Sequence, residues 1–200
     1  MNVVPLEALV VTVEADAGCV ERRLRDGELS CPDCSGVLVA WGHGRSRGVR
    51  GPDGRVEVRP RRARCSGCGR THVLLPVGLL ARRADTVEVI GAAVEAAAGG
   101  RGHRPIARLL GRPAETVRGW LRRFAARAER LRSAFTALLV ALDGGTAGAG
   151  AVLVAVAVTA RRRLGGASFV DTLSVWALAC AVSRGGLLAP GWAPETINTN

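Results

Sequence analysis

Cys31-Pro32-Asp33-Cys34 and Cys65-Ser66-Gly67-Cys68 are two C-x-x-C pairs separated by 30 residues. Two residues between cysteines let one tight turn present both sulfurs to a single ion. Four thiolates then complete the tetrahedron that zinc favours and leave no position open for water, so such a site is structural rather than catalytic. Gly36 and Gly67 are expected to ease the two turns, because glycine tolerates φ > 0. Between the pairs, two short β-forming runs, residues 37–41 and 56–58, flank the turn sequence Gly51-Pro52-Asp53-Gly54. That pattern reads as a hairpin joining the two runs. The expectation is a zinc ribbon over residues 31–75, with Cys31, Cys34, Cys65 and Cys68 holding one structural Zn2+. Redox pairs or free thiols are the alternatives, but a redox C-x-x-C opens a helix beside a strand, and neither pair has that context. His43 and His72 are read as surface residues or neighbours of the site. The ribbon has few apolar residues of its own, so the metal is expected to hold it together.

Before the first pair, residues 1–30 read as a small acidic N-terminal cap. Residues 9–13 have strand-forming composition. Leu24 lies four after Val20, on a helix that Gly27 weakens.

After the second pair the pattern turns helical. Asp85-Thr86-Val87-Glu88 has the form of a capping box with Asp85 as N-cap. Val87, Ile90, Val94 and Ala98 follow at helical spacing, and Gly99-Gly100 stops the helix. The next stretch, Arg104-Pro-Ile-Ala-Arg-Leu-Leu-Gly-Arg-Pro-Ala-Glu-Thr-Val-Arg-Gly-Trp-Leu-Arg-Arg123, has helix-turn-helix grammar. Pro105 suits a first helical turn, Gly111 a helix exit, and Pro113 the opening of the following helix. Ala107 is small where two helices must approach closely. Ile106, Leu110, Val117 and Trp120 supply a small core, and the apolar stripe runs on through Leu121, Phe124, Ala128, Leu131 and Phe135. The second helix turns Glu115, Arg118, Gly119 and Arg122 outward, and Thr116 is counted with the DNA-binding candidates. In this motif the N-terminal part of the recognition helix enters the major groove. There Arg can pair with guanine and Glu can accept from cytosine. Arg104, Arg108, Arg112 and Arg123 are placed as phosphate contacts, which fix position without reading sequence. Arg112 departs from the usual apolar residue after the glycine. A three-helix bundle with a basic surface is the blander reading.

Charge supports a polyanionic partner. The formal net charge is +11, and every basic residue that is not histidine is arginine. Residues 1–34 carry −4, residues 35–132 carry +14 and residues 133–200 carry +1. The positive charge thus sits where the motifs are. No basic n-region opens the chain, so a cytoplasmic, nucleoid-associated setting is expected, where paired cysteines read as metal ligands. Residues 147–160 and 168–182 are apolar but too short for a membrane span. Residues 144–150 read as a Gly/Ala linker and the chain from Gly185 as a loose tail.

In combination, Cys31-Pro-Asp-Cys34, Trp41-Gly-His-Gly44, the run from Arg59 to Cys65, the run from Thr71 to Pro76, Arg82-Arg-Ala-Asp85, Gly102-His-Arg104 and the run from Thr116 to Phe124 resemble a family of actinobacterial proteins of unknown function. The resemblance covers roughly residues 10–143. The arrangement is also similar to the N-terminal part of insertion-sequence transposases, where a zinc ribbon precedes a helix-turn-helix. That similarity implies DNA binding and no activity of its own. Transposases of that kind hold two metal ions on three carboxylates. Here only Asp143, Asp171 and Glu195 follow the motif, with too little chain for a nuclease sheet.

The sequence therefore predicts an α+β protein: a cap over residues 1–30, a zinc-ribbon hairpin unit over 31–75, a mainly helical helix-turn-helix domain over 76–143, and a poorly defined, Gly/Ala-rich C-terminal segment over 144–200. The function expected is sequence-directed binding of double-stranded DNA, as a regulator or a transposase-derived protein, without enzymatic activity or membrane attachment and compatible with a homodimer. The alternatives are a zinc-ribbon adaptor that docks proteins and, behind it, a truncated, inactive transposase.

Overall fold

The computed structural model describes residues 10–129, 131, 174–183 and 185–188. In chain order the elements are β1 (Val10–Val13), α1 (Ala17–Arg25), β2 (Leu38–His43), β3 (Arg47–Arg50), β4 (Arg55–Val58), β5 (Arg61–Cys65), β6 (Thr71–Pro76), α2 (Val87–Ala98), α3 (His103–Leu110), α4 (Ala114–Ala125) and α5 (Val175–Val182). Helices and strands mix, as the predicted α+β class requires.

Four strands form one sheet in the order β1-β6-β5-β2. β1 runs parallel to β6, and the other neighbours are antiparallel. Residues 10–29, within the cap expected over residues 1–30, supply an edge strand and a helix to the sheet that carries the cysteines. The reason is apolar supply. β2, β5 and β6 turn Leu38, Ala63 and Leu74 to one face, and Val13, Val20, Leu24 and Leu29 from the N-terminal region bury against them. α1 starts at Asp16, whose carboxylate accepts from the Cys19 backbone N–H at 2.6 Å and is held below its ordinary pKa by that bond.

The hairpin differs from the one expected. Gly51-Pro52-Asp53-Gly54 joins β3 to β4, with Val49 opposite Val56 and Arg50 opposite Arg55. The run at residues 37–41 instead enters β2 and pairs with β5, Leu38 opposite Cys65. The β3–β4 hairpin is therefore inserted between two strands of the main sheet. Its Val49 and Val58 pack on Val10, Leu75 and Leu79, which covers part of the sheet's second face.

α2, α3 and α4 enclose another core. Val87, Ile90 and Ala93 meet Ile106, Ala107, Val117 and Trp120, all buried. Gly111 closes α3 in the left-handed region at φ 60°, a conformation glycine adopts without steric cost. Pro113 sits at the N-cap of α4. The capping box is not formed: Thr86 is the N-cap of α2, and the Asp85 carboxylate is drawn away to two arginines. The apolar stripe of α4 ends sooner than expected, since the helix closes at Ala125, although Leu131 is again buried. Phe135 lies outside the described residues.

Residues 185–188, expected as part of a loose tail, are packed. Leu187 and Leu188 bury in the helical core together with Ala177 and Cys180 of α5. Trp176 rests on Gly91 of α2, where a Cβ would collide with the indole. The linker at 144–150, the basic run at 161–163 and the three carboxylates Asp143, Asp171 and Glu195 lie outside the described residues. No helix among the described residues is long and apolar enough to cross a membrane.

Candidate metal centre and the arginine-bearing helices

The two C-x-x-C turns meet. The Sγ atoms of Cys31, Cys34, Cys65 and Cys68 all lie within 4.8 Å of one another. Cys31 and Cys68 are 3.7 Å apart, and Cys34 and Cys65 are 3.4 Å apart. Cys31 and Cys65 are buried against the sheet, whereas Cys34 and Cys68 face outward. Backbone N–H groups converge on the buried pair. Asp33 donates to Cys31 at 3.5 Å, and Gly67 and Cys68 donate to Cys65 at 3.3 and 3.4 Å. Four sulfurs at this spacing, with N–H groups aimed at two of them, are suited to holding a cation as thiolates. The protein environment splits the pair. Burial pushes the Cys31 thiol up to about 12, while the Cys68 backbone N–H holds Cys65 down at about 6.

Gly36 and Gly67 matter for a reason other than the one expected. Neither has positive φ; the left-handed positions are Ser35 and Gly69. A Cβ on Gly36 would lie 3.0 Å from Cys65 Sγ, and one on Gly67 would lie 3.5 Å from Cys34 Sγ. The glycines make room for the two turns to approach.

His72 is a further member of the site. It is fully buried on β6, opposite Ala63, with Nε2 3.4 Å from Cys31 Sγ and 3.9 Å from Asp33 Oδ2. Its Nδ1 has no partner among the described residues. His43 lies at the end of β2, where its strand partner is Arg61. Spacing alone did not separate these two histidines. Alternation along residues 71–76, which puts His72 on the same face as Leu74, was the available signal.

The arginines predicted to meet DNA divide into groups. Arg104 and Arg108 are exposed on α3, and Arg122 is exposed on α4. Arg118 and Glu115, both exposed, pair with each other at 3.2 Å across one helical turn. Thr116 is half-buried, and Arg123 lies over Gly119. Arg112 is placed differently: its Nε donates to Asp85 Oδ1 at 2.6 Å and its Nη2 to the Gly51 carbonyl at 3.3 Å. It ties the α3–α4 turn to the β3–β4 hairpin. That role explains why an arginine stands where an apolar residue is usual.

One surface went unpredicted. Val39 and Trp41 on the edge strand β2 are exposed, and the Arg64 guanidinium sits 4.9 Å from the Trp41 ring centroid. No protein-family model, curated protein or solved structure matches the chain.

Proposed function

We propose that the protein binds double-stranded DNA through α3 and α4, with α4 as the recognition helix, and that the four cysteines hold a structural zinc ion that braces the adjoining sheet. The zinc assignment follows from donor type: four cysteine sulfurs within 4.8 Å of one another suit zinc over hard cations, which prefer oxygen. The DNA assignment is carried by one observation. The α3–Gly111–α4 unit buries Ile106, Ala107, Val117 and Trp120, while Arg104, Arg108, Arg118 and Arg122 remain exposed. A small core with a basic outer face, on helices joined by a left-handed glycine, is the construction of a helix-turn-helix. Glu115 restrains Arg118 by an exposed ion pair, which a guanine edge can displace at little cost. The chain then acts as a regulator or a transposase-derived binding protein, without chemistry of its own.

A salt titration of zinc-loaded protein on duplex DNA tests this, with a chelator-treated sample alongside. Binding should weaken steeply with salt as arginine–phosphate contacts release counterions. Replacing Arg118 or Arg122 by Ala should weaken specific binding by about 1–3 kcal/mol where either reads a base. Absence of binding at low salt would reject the reading. It would favour a protein-docking module, for which the exposed Val39 and Trp41 on β2, the edge strand among the described residues, are the supporting observation.

A further inference from the structure

We propose that the β3–β4 hairpin is a second DNA-contacting element, a wing beside the recognition helix, with Arg55 meeting a backbone phosphate. The proposal rests on the DNA-binding reading of α3 and α4. Its foundation is the way the hairpin is anchored. The Arg50 backbone N–H donates to the Ala84 carbonyl at 2.8 Å, and the Thr86 N–H donates back to the Arg50 carbonyl at 3.0 Å. Asp85, between those two residues, accepts from Arg50 Nη2 and Arg112 Nε, each at 2.6 Å. Arg112 also reaches the Gly51 carbonyl at the hairpin tip. The tip is thereby fastened to the turn immediately before α4. That is the end of α4 a major groove would receive, so the phosphates flanking the groove pass close to the hairpin.

The exposed face of the hairpin fits a phosphate. Arg55 opens β4 next to the tip, is exposed, and has no carboxylate partner among the described residues. Its guanidinium lies flat across Gly48 on the neighbouring strand, where any Cβ would collide with it. Glycine at that position keeps Arg55 laid out along the hairpin face. Glu57, the nearest acid on β4, is engaged by the Ser46 hydroxyl at 2.5 Å. Glu57 on β4 and Asp53 at the apex are the hairpin charges that oppose a phosphate, and Asp53, beside the tip, gives the test a second sign.

The experiment uses the full zinc-loaded chain and a fluorescent mixed-sequence DNA duplex, titrated over a series of salt concentrations. Four variants are compared with the parent: Arg55→Ala, Asp53→Asn, Arg118→Ala and, as a distant charge control on α1, Arg25→Ala. Zinc content and far-UV circular dichroism verify that each is folded. Arg55→Ala should lower affinity several-fold and reduce the slope of log K against log salt by about 0.9, the loss of one phosphate contact. Asp53→Asn should raise affinity. Parent binding with an unaltered slope for Arg55→Ala, or an effect no larger than that of Arg25→Ala, overturns the wing while leaving α4 in place. Loss of binding in Arg118→Ala alone, with both hairpin variants at parent level, does the same. No binding by the parent at low salt overturns the DNA reading itself.

Discussion

Asp85 Oδ1 accepts from Arg112 Nε at 2.6 Å, with the two side chains only 3% and 15% exposed. The bond joins the segment before α2 to the turn before α4, residues 27 apart in sequence. Arg50 completes the arrangement from the hairpin, but its side chain is 40% exposed. Arg112→Ala removes the better-buried partner of Asp85 and leaves the carboxylate to Arg50 alone among the described residues. It should therefore cost about 1.5–3 kcal/mol of stability, the range of a lost hydrogen bond to a charged group. Arg50→Ala should cost clearly less, because water screens that pair. Urea unfolding measures both, and a double substitution with Asp85→Ala should cost less than the sum of its parts. Equal, small losses for Arg50 and Arg112 would show that the clamp carries little energy.

The metal's contribution can be weighed against the core it sits beside. The sheet and α1 enclose a small buried cluster, of which Cys31 and Cys65 are themselves members. Structural zinc contributes about 10–16 kcal/mol in small metal-dependent units. The α2–α4 core shares no residue with that cluster. Cys65→Ser should therefore abolish stoichiometric zinc and make the sheet melt at lower urea than the helical core, with Trp120 still buried when the sheet is lost. Chelator-treated protein should show two urea transitions where the zinc-loaded protein shows fewer. A single transition, in which Trp120 fluorescence follows the strand signal, would mean that the two cores are one cooperative unit.

Much of this was legible in the sequence, and the parts that were not share a cause. Cysteine spacing, the glycine exit at Gly111 and the inward set Ile106, Ala107, Val117 and Trp120 are local patterns, and local patterns survive folding. The partners of β1 and β2 were not local. Nothing in residues 10–13 says that they lie parallel to Val73 and Leu74, and a strong turn at 51–54 concealed that β2 skips the hairpin to reach β5. Asp85 has the same history. As the first residue of a capping box it was read against its chain neighbours, whereas two arginines distant in sequence compete for its carboxylate and win. Long-range charge pairing overrides a cap worth about 1 kcal/mol.

Gly111 tests the local part directly. Its φ of 60° lies where a Cβ meets the following carbonyl oxygen. Although a Cβ there has open space around it, Gly111→Ala should still cost about 1–2 kcal/mol from backbone strain alone. DNA affinity should fall with stability if the angle between α3 and α4 shifts. A variant as stable as the parent would show that the turn relaxes into another conformation.

Zinc affinity should depend on pH in a defined direction. Before metal binds, Cys31 is a thiol at neutral pH because burial has pushed it up to about 12. Cys65, held at about 6 by the Cys68 N–H, is already a thiolate. Zinc takes thiolates, so it must displace the Cys31 proton, and affinity rises with pH by roughly tenfold per unit for each proton released. Below about 6 Cys65 is protonated as well, and the dependence should steepen. In the metal-free fold the two groups act oppositely. The lowered Cys65 contributes stability above the ordinary thiol value of 9.0 and loses it as pH falls through about 6. The raised Cys31 contributes below 9.0 and loses it as pH rises toward about 12. Competition with a chromophoric chelator across this range reads the slope. A flat profile would mean that all four cysteines are ionised before metal arrives.

His72 offers the sharpest test of the site's construction. A fully buried imidazole with Nε2 3.4 Å from Cys31 Sγ donates to a Cys31 thiolate in the tautomer that carries its hydrogen on Nε2. Cys31 is otherwise faced by backbone N–H groups of its own turn, Asp33 at 3.5 Å and Cys34. The histidine thus adds a side-chain donor to the backbone N–H groups that face this buried sulfur. His72→Phe keeps a ring opposite Ala63 and removes the donor. Zinc should still bind one per chain through four cysteines, with affinity lowered about 10–100-fold, as for other lost partners of metal ligands. In the cobalt-substituted protein the sulfur-to-metal charge-transfer band should shift, because a thiolate without its hydrogen bond donates more electron density. A role in packing alone would leave that band in place while stability changed. Unchanged affinity together with an unchanged band would show that Cys31 needs no help from the imidazole.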